Sequence, residues 1–393
     1  MSRHLKDIHA LHDFEPLARK KLPRQLFSYI HNGADDESTL HNNRRAFERY
    51  GFVPRMLEGV AERSQKISLF GQEYDSPFGI SPVGIAAMWC YRGDLVLART
   101  AQEQRVPAVM SGASLIRMED IAAAAPATWF QAYMPGEAAR VEALIERVRI
   151  AGFKTLVLTV DLPVAVNPDR YVRNGFTSPL RPSLRLVWDG VSHPAWLCGT
   201  FLRTLARHGM PHFENWRAER GTPILSATAQ RESLGRDHLS WEHLRLIRSL
   251  WKGDLVVKGI LRWQDAVTAR DCGVDGIVVS NHGGRQMDGA VSPLLVLPEI
   301  ARAVPDVTLM MDSGIRRGTD VMKALALGAR CVFLGRSFQY ASTVAGAAGV
   351  AHAVGILRTE IHRNMALLGI NRLDELDASF VREMDSFSRS CAA

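Results

Sequence analysis

From residue 76 onward, short runs of apolar residues alternate with longer stretches whose apolar positions recur at helical spacing. The short runs are Phe78–Val83, Val106–Ser111, Thr128–Tyr133, Thr155–Val160, Leu255–Lys258, Gly276–Ser280, Thr308–Met311 and Cys331–Leu334. Most are apolar throughout rather than alternating, the pattern of strands covered on both faces. Between them the spacing predicts helices over Asp94–Arg105, Gly136–Ala151, Ser240–Leu250, Arg262–Cys272, Pro293–Ala303 and Gly318–Leu327. Repeated strand-then-helix units in one chain predict an α/β fold, a parallel sheet closed into a (β/α)8 TIM barrel. An open doubly wound sheet is the alternative that periodicity alone leaves standing.

The first 75 residues read differently. They are polar and helical: Asp13–Lys20 forms a short helix, and Pro23 opens another running to Asn32, which Gly33 stops. Their apolar surface is too small for a separate core. Residues 1–75 are therefore expected to be a helical cap, 76–369 the barrel and 370–393 a C-terminal tail. The barrel rhythm breaks once, at 162–239, a long insertion after the fourth strand. Its stretch Arg181–Arg217 carries Trp188, Trp196, Phe201, Phe213 and Trp216 among Arg181, Arg185, Arg203, Arg207 and Arg217. Placed there, it overlies the barrel mouth. Tryptophan and arginine together can seat a helix in a lipid headgroup layer; the alternative is a lid packed on the barrel or on a neighbouring subunit.

Composition narrows the class. The 393 residues are 47% apolar and 23% charged, values of a globular enzyme rather than a fibrous or disordered chain. The net charge of +7 suits an anionic ligand or an acidic membrane surface. Five cysteines (Cys90, Cys198, Cys272, Cys331, Cys391) with no CxxC pair are read as reduced, mostly buried thiols facing the cytosol. The N-terminus has no apolar signal core, and no run of 18 apolar residues predicts a bilayer-spanning helix. A cytoplasmic protein is expected, peripheral on the inner membrane's cytoplasmic face if the insertion meets lipid. The chain lacks GxGxxG after its first strand, GxxxxGK[ST] and HExxH. Nicotinamide dinucleotide, P-loop and metal chemistry are thus disfavoured, and no metal ligands are assigned. No nucleic-acid motif is present, so no nucleic-acid partner is expected.

In a barrel the residues just beyond each strand converge on one rim. Here that rim collects Pro82, Val83 and Gly84; Ser111; Gln131 and Tyr133; Thr159 and Asp161; Lys258; Ser280 and His282; Asp312 and Gly314; Gly335 and Arg336. The run Met311-Asp312-Ser313-Gly314-Ile315-Arg316-Arg317-Gly318 lies between a strand and a helix, and Leu334-Gly335-Arg336-Ser337 repeats the arrangement one unit later. Glycines admit backbone N–H groups to an anion, and arginine adds bidentate contacts, so these segments read as a phosphate site. The sharpest cluster is Ser280-Asn281-His282-Gly283-Gly284-Arg285-Gln286-Met287-Asp288. A histidine can take a proton near neutral pH, an arginine three residues on can hold a carboxylate, and Asp161 from another strand can orient the imidazole.

With these residues in view, the chain resembles the FMN-dependent α-hydroxy acid oxidases and dehydrogenases from about Leu5 to Gly369. The resemblance rests on Ser280–Gln286 and Asp312–Gly318, supported by Leu22-Pro23, Leu156 to Asp161 and Val257-Lys258-Gly259. It implies FMN at the C-terminal mouth of the barrel and a small 2-hydroxy acid as substrate. His282 matches the catalytic base, Asp161 its paired aspartate and Arg285 the carboxylate-binding arginine. Tyr29 and Tyr133 match the two active-site tyrosines. Pro82, Val83 and Gly84 match the backbone behind the flavin, and Ser111, Gln131, Thr159 and Ser280 its ring and ribityl partners. Lys258 matches the lysine that stabilises reduced, anionic flavin; Asp312, Gly314, Arg316, Gly335 and Arg336 match the ribityl and phosphate site. The electron acceptor it implies is a quinone, another carrier or O2, and related barrels are commonly tetramers, so a homo-oligomer is expected.

Two departures stand out. The family carries an arginine seven residues after the paired aspartate; here that place is Pro168, and Arg170 is the candidate to reach the same space. Where glycolate oxidase-like members carry a bulky aromatic, this chain has Ala113, which leaves room for a larger substrate. Gly84 looks like the glycine of the lactate and mandelate dehydrogenases, where several oxidases have alanine. These features favour oxidation of an L-2-hydroxy acid, lactate-like or larger, with electrons passed to a quinone or other carrier. The alternatives are an oxidase releasing H2O2 and a barrel that binds FMN or a metabolite without turnover.

Overall fold

The computed structural model describes residues 5–164, 184–224, 226 and 237–384. The chain opens with helices α1 (Phe14–Lys21), α2 (Arg24–His31) and α3 (Ser38–Arg45), strand β1 (Tyr50–Phe52) and a hairpin of β2 (Ile67–Leu69) and β3 (Gln72–Tyr74). Eight parallel strands follow: β4 (Phe78–Ile80), β5 (Val109–Ser111), β6 (Trp129–Ala132), β7 (Thr155–Thr159), β8 (Asp254–Ile260), β9 (Gly276–Val279), β10 (Thr308–Met311) and β11 (Cys331–Leu334). They pair in chain order from β5 to β11, and β11 returns to β4. The remaining seam carries an Ile80–Ala108 bridge, with the Ile80 N–H donating to the Pro107 carbonyl at 2.9 Å. The sheet is the expected barrel.

All eight predicted strands exist, but several end earlier than their apolar runs. Phe78–Val83 ends early, at Ile80, whereas Val106–Ser111 keeps its end and begins later, at Val109, and Leu255–Lys258 lengthens to Asp254–Ile260. Apolar character continues past the hydrogen-bonded ladder, because residues beyond a strand end are still buried under the connecting loops.

Each strand's two faces serve different cores. Met110, Phe130, Leu156, Leu158, Val257, Ile277, Met311 and Val332 pack outward against the helices. Val109, Trp129, Val157, Val256, Val278, Met310, Cys331 and Phe333 fill the interior, joined from the hairpin by Ile67, Leu69 and Tyr74. The hairpin thus plugs the end where the strands begin. Side chains alternate with period two, so the next inward positions are Ser111, Gln131, Thr159, Lys258, Ser280, Asp312 and Gly335. An apolar interior gives way to a polar mouth within one pleat, on seven strands at once.

The outer helices are α4 (Gly93–Glu103), α5 (Met118–Ala124), α6 (Ala138–Ile150), α7 (Leu184–Val191), α8 (Arg203–His208), α9 (Trp241–Leu250), α10 (Trp263–Asp271), α11 (Pro293–Ala303), α12 (Gly318–Ala326) and α13 (Arg336–Leu368). The six predicted barrel helices agree to within two residues at either end. α3, α5 and α13 were not anticipated. α13 is long and apolar enough by length and composition to cross a membrane, although no run of 18 apolar residues predicted it. Half of its most apolar window is buried, it packs on α1, α4 and α12, and Ala345–Gly346 break its helical geometry. Near the N-terminus, α2 ends at His31 with Asn32 extended, so Gly33 is not a left-handed stop. What Gly33 permits is closeness: a Cβ there would lie 2.9 Å from the Gly284 carbonyl oxygen.

In the insertion, α7 leads through a helical turn (Pro194–Trp196) and a π-helical segment (Leu197–Leu202) into α8. The aromatic stretch divides. Trp196 and Phe213 are buried, and Phe213 stacks on Trp216 with centroids 3.9 Å apart, whereas Trp188 is 74% exposed. Pro168, Arg170 and Arg181 lie outside the described residues, as does Cys391. Of the other cysteines, Cys90, Cys272 and Cys331 are buried and Cys198 is exposed.

Candidate active site

A cleft of about 860 Å³ opens at the C-terminal ends of the strands. Of the residues singled out from the sequence, Tyr29, Pro82, Val83, Gly84, Tyr133, Thr159, Lys258, His282, Arg285, Asp312, Gly314, Arg316, Gly335 and Arg336 line it directly. Ser111, Gln131, Asp161 and Ser280 stand behind this layer. The loop after β9 places His282 in the left-handed region, φ +58°, followed by two glycines that are also left-handed. A non-glycine residue held there is strained, and the surrounding hydrogen bonds hold it. Its N–H donates to Ser280 Oγ (3.0 Å) and the next N–H, of Gly283, to Ser313 Oγ (3.0 Å). Gly283 also lets Arg336 approach; a Cβ would sit 2.8 Å from its Nη1.

His282 Nδ1 lies 2.8 Å from Asp161 Oδ1. A carboxylate on Nδ1 fixes the proton there and leaves Nε2, which has no hydrogen bond among the described residues, as the basic nitrogen. Burial opposes ionisation of Asp161, but the charges of His282 and Lys258 and the hydrogen bond from His282 outweigh it and hold its carboxyl below the usual range. Lys258 is 4% exposed; burial opposes its charge, yet Asp312 and Asp161 raise its pKa. Its Nζ donates to Ser280 Oγ at 2.7 Å and lies 3.1 Å from Asp312 Oδ2. Ser81 Oγ donates to the same oxygen (3.1 Å) and Ser313 Oγ to Asp312 Oδ1 (2.9 Å). The floor is thus one fixed network of charges and hydroxyls at the end of β4, β7, β8, β9 and β10.

The other wall comes from outside the barrel. Arg285 Nη1 donates to the carbonyl of Tyr29 at 2.6 Å, and its guanidinium lies 5.0 Å from the Tyr29 ring centroid. Arg336 donates to the carbonyls of Ile30, His31 and Asn32 between 3.1 and 3.2 Å and to that of Gly283 at 2.9 Å. The C-terminal end of α2 is therefore tied to the mouth by two arginines, which is how Tyr29, from outside the barrel, reaches a site built on the strand ends.

Several features fit a flavin nucleotide. Gln131 Nε2, Thr159 Oγ1 and Gln339 Nε2 are buried without a partner among the described residues, and two of the three residues line the cleft. Unsatisfied buried polar atoms are costly unless a ligand meets them. Opposite, Ser313 and Gly314 turn through positive φ between β10 and α12. Among the described residues Arg316 makes one side-chain hydrogen bond, Nη1 to the neighbouring Ile315 carbonyl (2.8 Å), and burial pushes its pKa down. An anion would relieve that cation, and the N-terminus of α13, beginning at Arg336, adds its dipole. Ser81, Ser313 and Gln339 were missed by the sequence reading. Ser81 and Ser313 each adjoin a residue that was noted; Gln339 carried no signal, because it lies on the unanticipated α13.

A strand-end cleft with a buried lysine, a histidine–aspartate pair and unsatisfied buried polar atoms has the parts of an enzyme site that pairs a general base with an anionic cofactor. The sequence profile of the FMN-dependent dehydrogenases matches residues 18–383, and the chain belongs to that family. The L-lactate dehydrogenase of Caulobacter sp. (strain K31) is 38% identical over 382 residues, 95% of this chain and 98% of that protein. A putative L-lactate dehydrogenase of Mycobacterium tuberculosis (strain ATCC 25618 / H37Rv) is 38% identical over 95% of this chain and 89% of its own length. Among solved structures, the monotopic membrane protein (S)-mandelate dehydrogenase superposes with a TM-score of 0.87 at 33% identity, covering 96% of this chain and all of that one. A mandelate oxidase with (S)-2-phenylpropionate gives 0.79 at 32% identity, over 95% of this chain and 98% of that one. The protein is an FMN-dependent α-hydroxy acid oxidoreductase.

Proposed function

We propose that the protein oxidises an L-2-hydroxy acid, lactate-like or larger, to the 2-oxo acid and delivers the electrons to a quinone or another carrier. The observation that carries this reading is the 2.8 Å contact of His282 Nδ1 with Asp161 in a cleft shared with Tyr29, Tyr133, Lys258 and Arg285. FMN, when bound, supplies the two-electron acceptor. Ser111, Gln131, Thr159, Ser280 and the backbone of Pro82–Gly84 would hold its ring side, and Asp312, Gly314, Arg316, Gly335 and Arg336 its ribityl and phosphate side.

Arg285 binds the substrate carboxylate through its guanidinium fork, with Tyr29 beside it. Tyr133 faces the hydroxyl. His282 Nε2 takes one proton, and Asp161 stabilises the imidazolium that results. The same base serves either order of events: loss of the hydroxyl proton as hydride leaves Cα, or loss of the Cα proton first. Lys258 stabilises negative charge developing on the acceptor's side of the cleft. One alcohol loses two electrons and two protons, and one 2-oxo acid leaves.

Gly84 and the dehydrogenase names of the relatives favour a carrier over O2. The insertion supports peripheral membrane contact through a narrower surface than its sequence implied: Val187, Trp188, Val191 and Leu202 are exposed, while Trp196 and Phe213 face inward. Anaerobic mixing with a panel of L-2-hydroxy acids tests the reaction. Bleaching of the flavin absorbance is expected, and His282→Ala should abolish it while FMN stays bound; bleaching retained in that variant overturns the assigned base. Reoxidation of the bleached enzyme should be faster with a soluble quinone than with O2, and stoichiometric peroxide would overturn the carrier assignment.

A further inference from the structure

Two loops face each other across one side of the cleft, the one after β4 carrying Gly84 and the one after β5 carrying Ala113. They are close: a Cβ at Gly84 would lie 2.8 Å from Ala113 Cβ, and the Ala113 carbonyl accepts the Ile85 N–H at 3.0 Å. Ile85 and Arg92 both have positive φ, so the first loop leaves the strand in a strained path that needs support.

The insertion grips both loops. Trp196, 7% exposed, donates its indole N–H to the Met88 carbonyl at 2.7 Å. Asn215, 1% exposed, accepts the Met118 N–H on Oδ1 at 2.8 Å and donates through Nδ2 to the carbonyls of Ile116 (2.8 Å) and Ser114 (3.3 Å). The Glu214 N–H also reaches the Ser114 carbonyl, at 3.4 Å. From the barrel side, Arg147 of α6 holds this segment by the carbonyls of Glu214 (2.8 Å) and Arg217 (2.9 Å) while pairing with Glu119 at 2.7 Å. Asn215 is therefore a fixed peg. Its amide bonds three backbone groups just after Ala113; removing it takes the acceptor from the buried Met118 N–H and leaves the Ser114 and Ile116 carbonyls only their longer bonds, from the Glu214 N–H (3.4 Å) and Ser114 Oγ (3.3 Å).

We propose that Asn215 and Trp196 are positioning residues that set the separation of the Gly84 and Ala113 loops and so decide how large a side chain the substrate can carry. The inference rests on the hydroxy-acid reading of the site. It gives the insertion a second role, independent of any membrane contact, because the gripping residues face inward and Trp188 faces out.

The test compares kcat and KM for a methyl-bearing and a phenyl-bearing L-2-hydroxy acid in wild type, Asn215→Ala, Trp196→Phe and Arg207→Ala. Trp196→Phe keeps an aromatic ring, removes the N–H bond to Met88 and gives up part of the buried indole volume. In both loop variants the wild-type preference between the two acids should shrink about fivefold or more, a pocket-fit effect of ordinary size. The change should appear in KM, with kcat for the preferred acid within about twofold. The dissociation constants of the matching 2-oxo acids, read from the flavin absorbance, should move in parallel. Arg207→Ala, exposed on α8, should leave the preference unchanged. If Asn215→Ala does not fold, Trp196→Phe decides alone. A lowered melting temperature with an unaltered preference in the folded variants overturns the proposal and leaves the reaction standing. Wild type that no 2-hydroxy acid reduces overturns the reaction and the proposal together.

Discussion

Lys258→Met tests the electrostatic floor of the cleft most directly. Lys258 and Asp312 are both buried and lie 3.1 Å apart, and the Asp312 carboxylate accepts two serine hydroxyls besides. Methionine fills nearly the same volume but leaves Asp312 as a buried, uncompensated charge, which costs about 3–5 kcal/mol. Asp312→Asn should cost less, about 1–3 kcal/mol, because Lys258 keeps Asp161 as a neighbouring charge. The double variant removes both charges together, so its loss should fall below the sum of the singles by about 2–3 kcal/mol. Urea denaturation of the FMN-free proteins at pH 7 measures all three, and FMN titration shows the separate cost to binding. The signs with pH follow from the shifts. Asp161, held below its ordinary 3.8, contributes stability that is present above that pH and is lost as pH falls through its folded value. Lys258, held above its ordinary 10.5, contributes below that pH and loses it as pH rises through its folded value. Additive losses in the double variant would refute the argument, since they would mean that the two charges do not share one dry site.

Two further outcomes can be checked independently. Asp94 is buried at the start of α4, its pKa is pushed up to about 6 by burial against hydrogen bonds from Ser114 and backbone N–H groups, and its Oδ2 has no partner among the described residues. Its charge therefore destabilises the fold progressively from pH 3.8 to about 6 and fully above. Asp94→Asn should raise stability at pH 8 by up to about 3 kcal/mol and flatten that slope, measured by urea midpoints at pH 5 and pH 8. Gly84→Ala should lose about 1–3 kcal/mol and weaken FMN retention, because its methyl would overlap Ala113. Adding Ala113→Gly should restore both, as followed by thermal denaturation and FMN release.

The barrel was legible because eight strands buried on both faces leave eight continuous apolar runs, a signal that depends on local sequence alone. The interior–mouth boundary was legible for a related reason: Val157 and Thr159, Val256 and Lys258, or Met310 and Asp312 are two residues apart, and period two is a property of one strand. His282 and Arg285 could be read as a base and a cation because they share a single loop. Other features were invisible by the same logic. α13 escaped because its apolar residues do not keep to one stripe; it packs on α1, α4 and α12 with about half of its apolar window buried, contacts that spacing along the chain does not show. The aromatic stretch of the insertion allowed either lipid contact or a lid packed on the barrel, and burial divides it, with Trp196 turned onto Met88 and Trp188 left outside.

What belonged to the sequence alone was each strand's pattern and each loop's stock of chemical groups, since both are set by neighbours along the chain. Which groups meet was decided by closure of the barrel. Tyr29 reaches Arg285 across 256 residues and Asp161 reaches His282 across 121. Contacts of that span exist only once the whole sheet has wrapped, because the energy that holds them comes from a core shared by every strand.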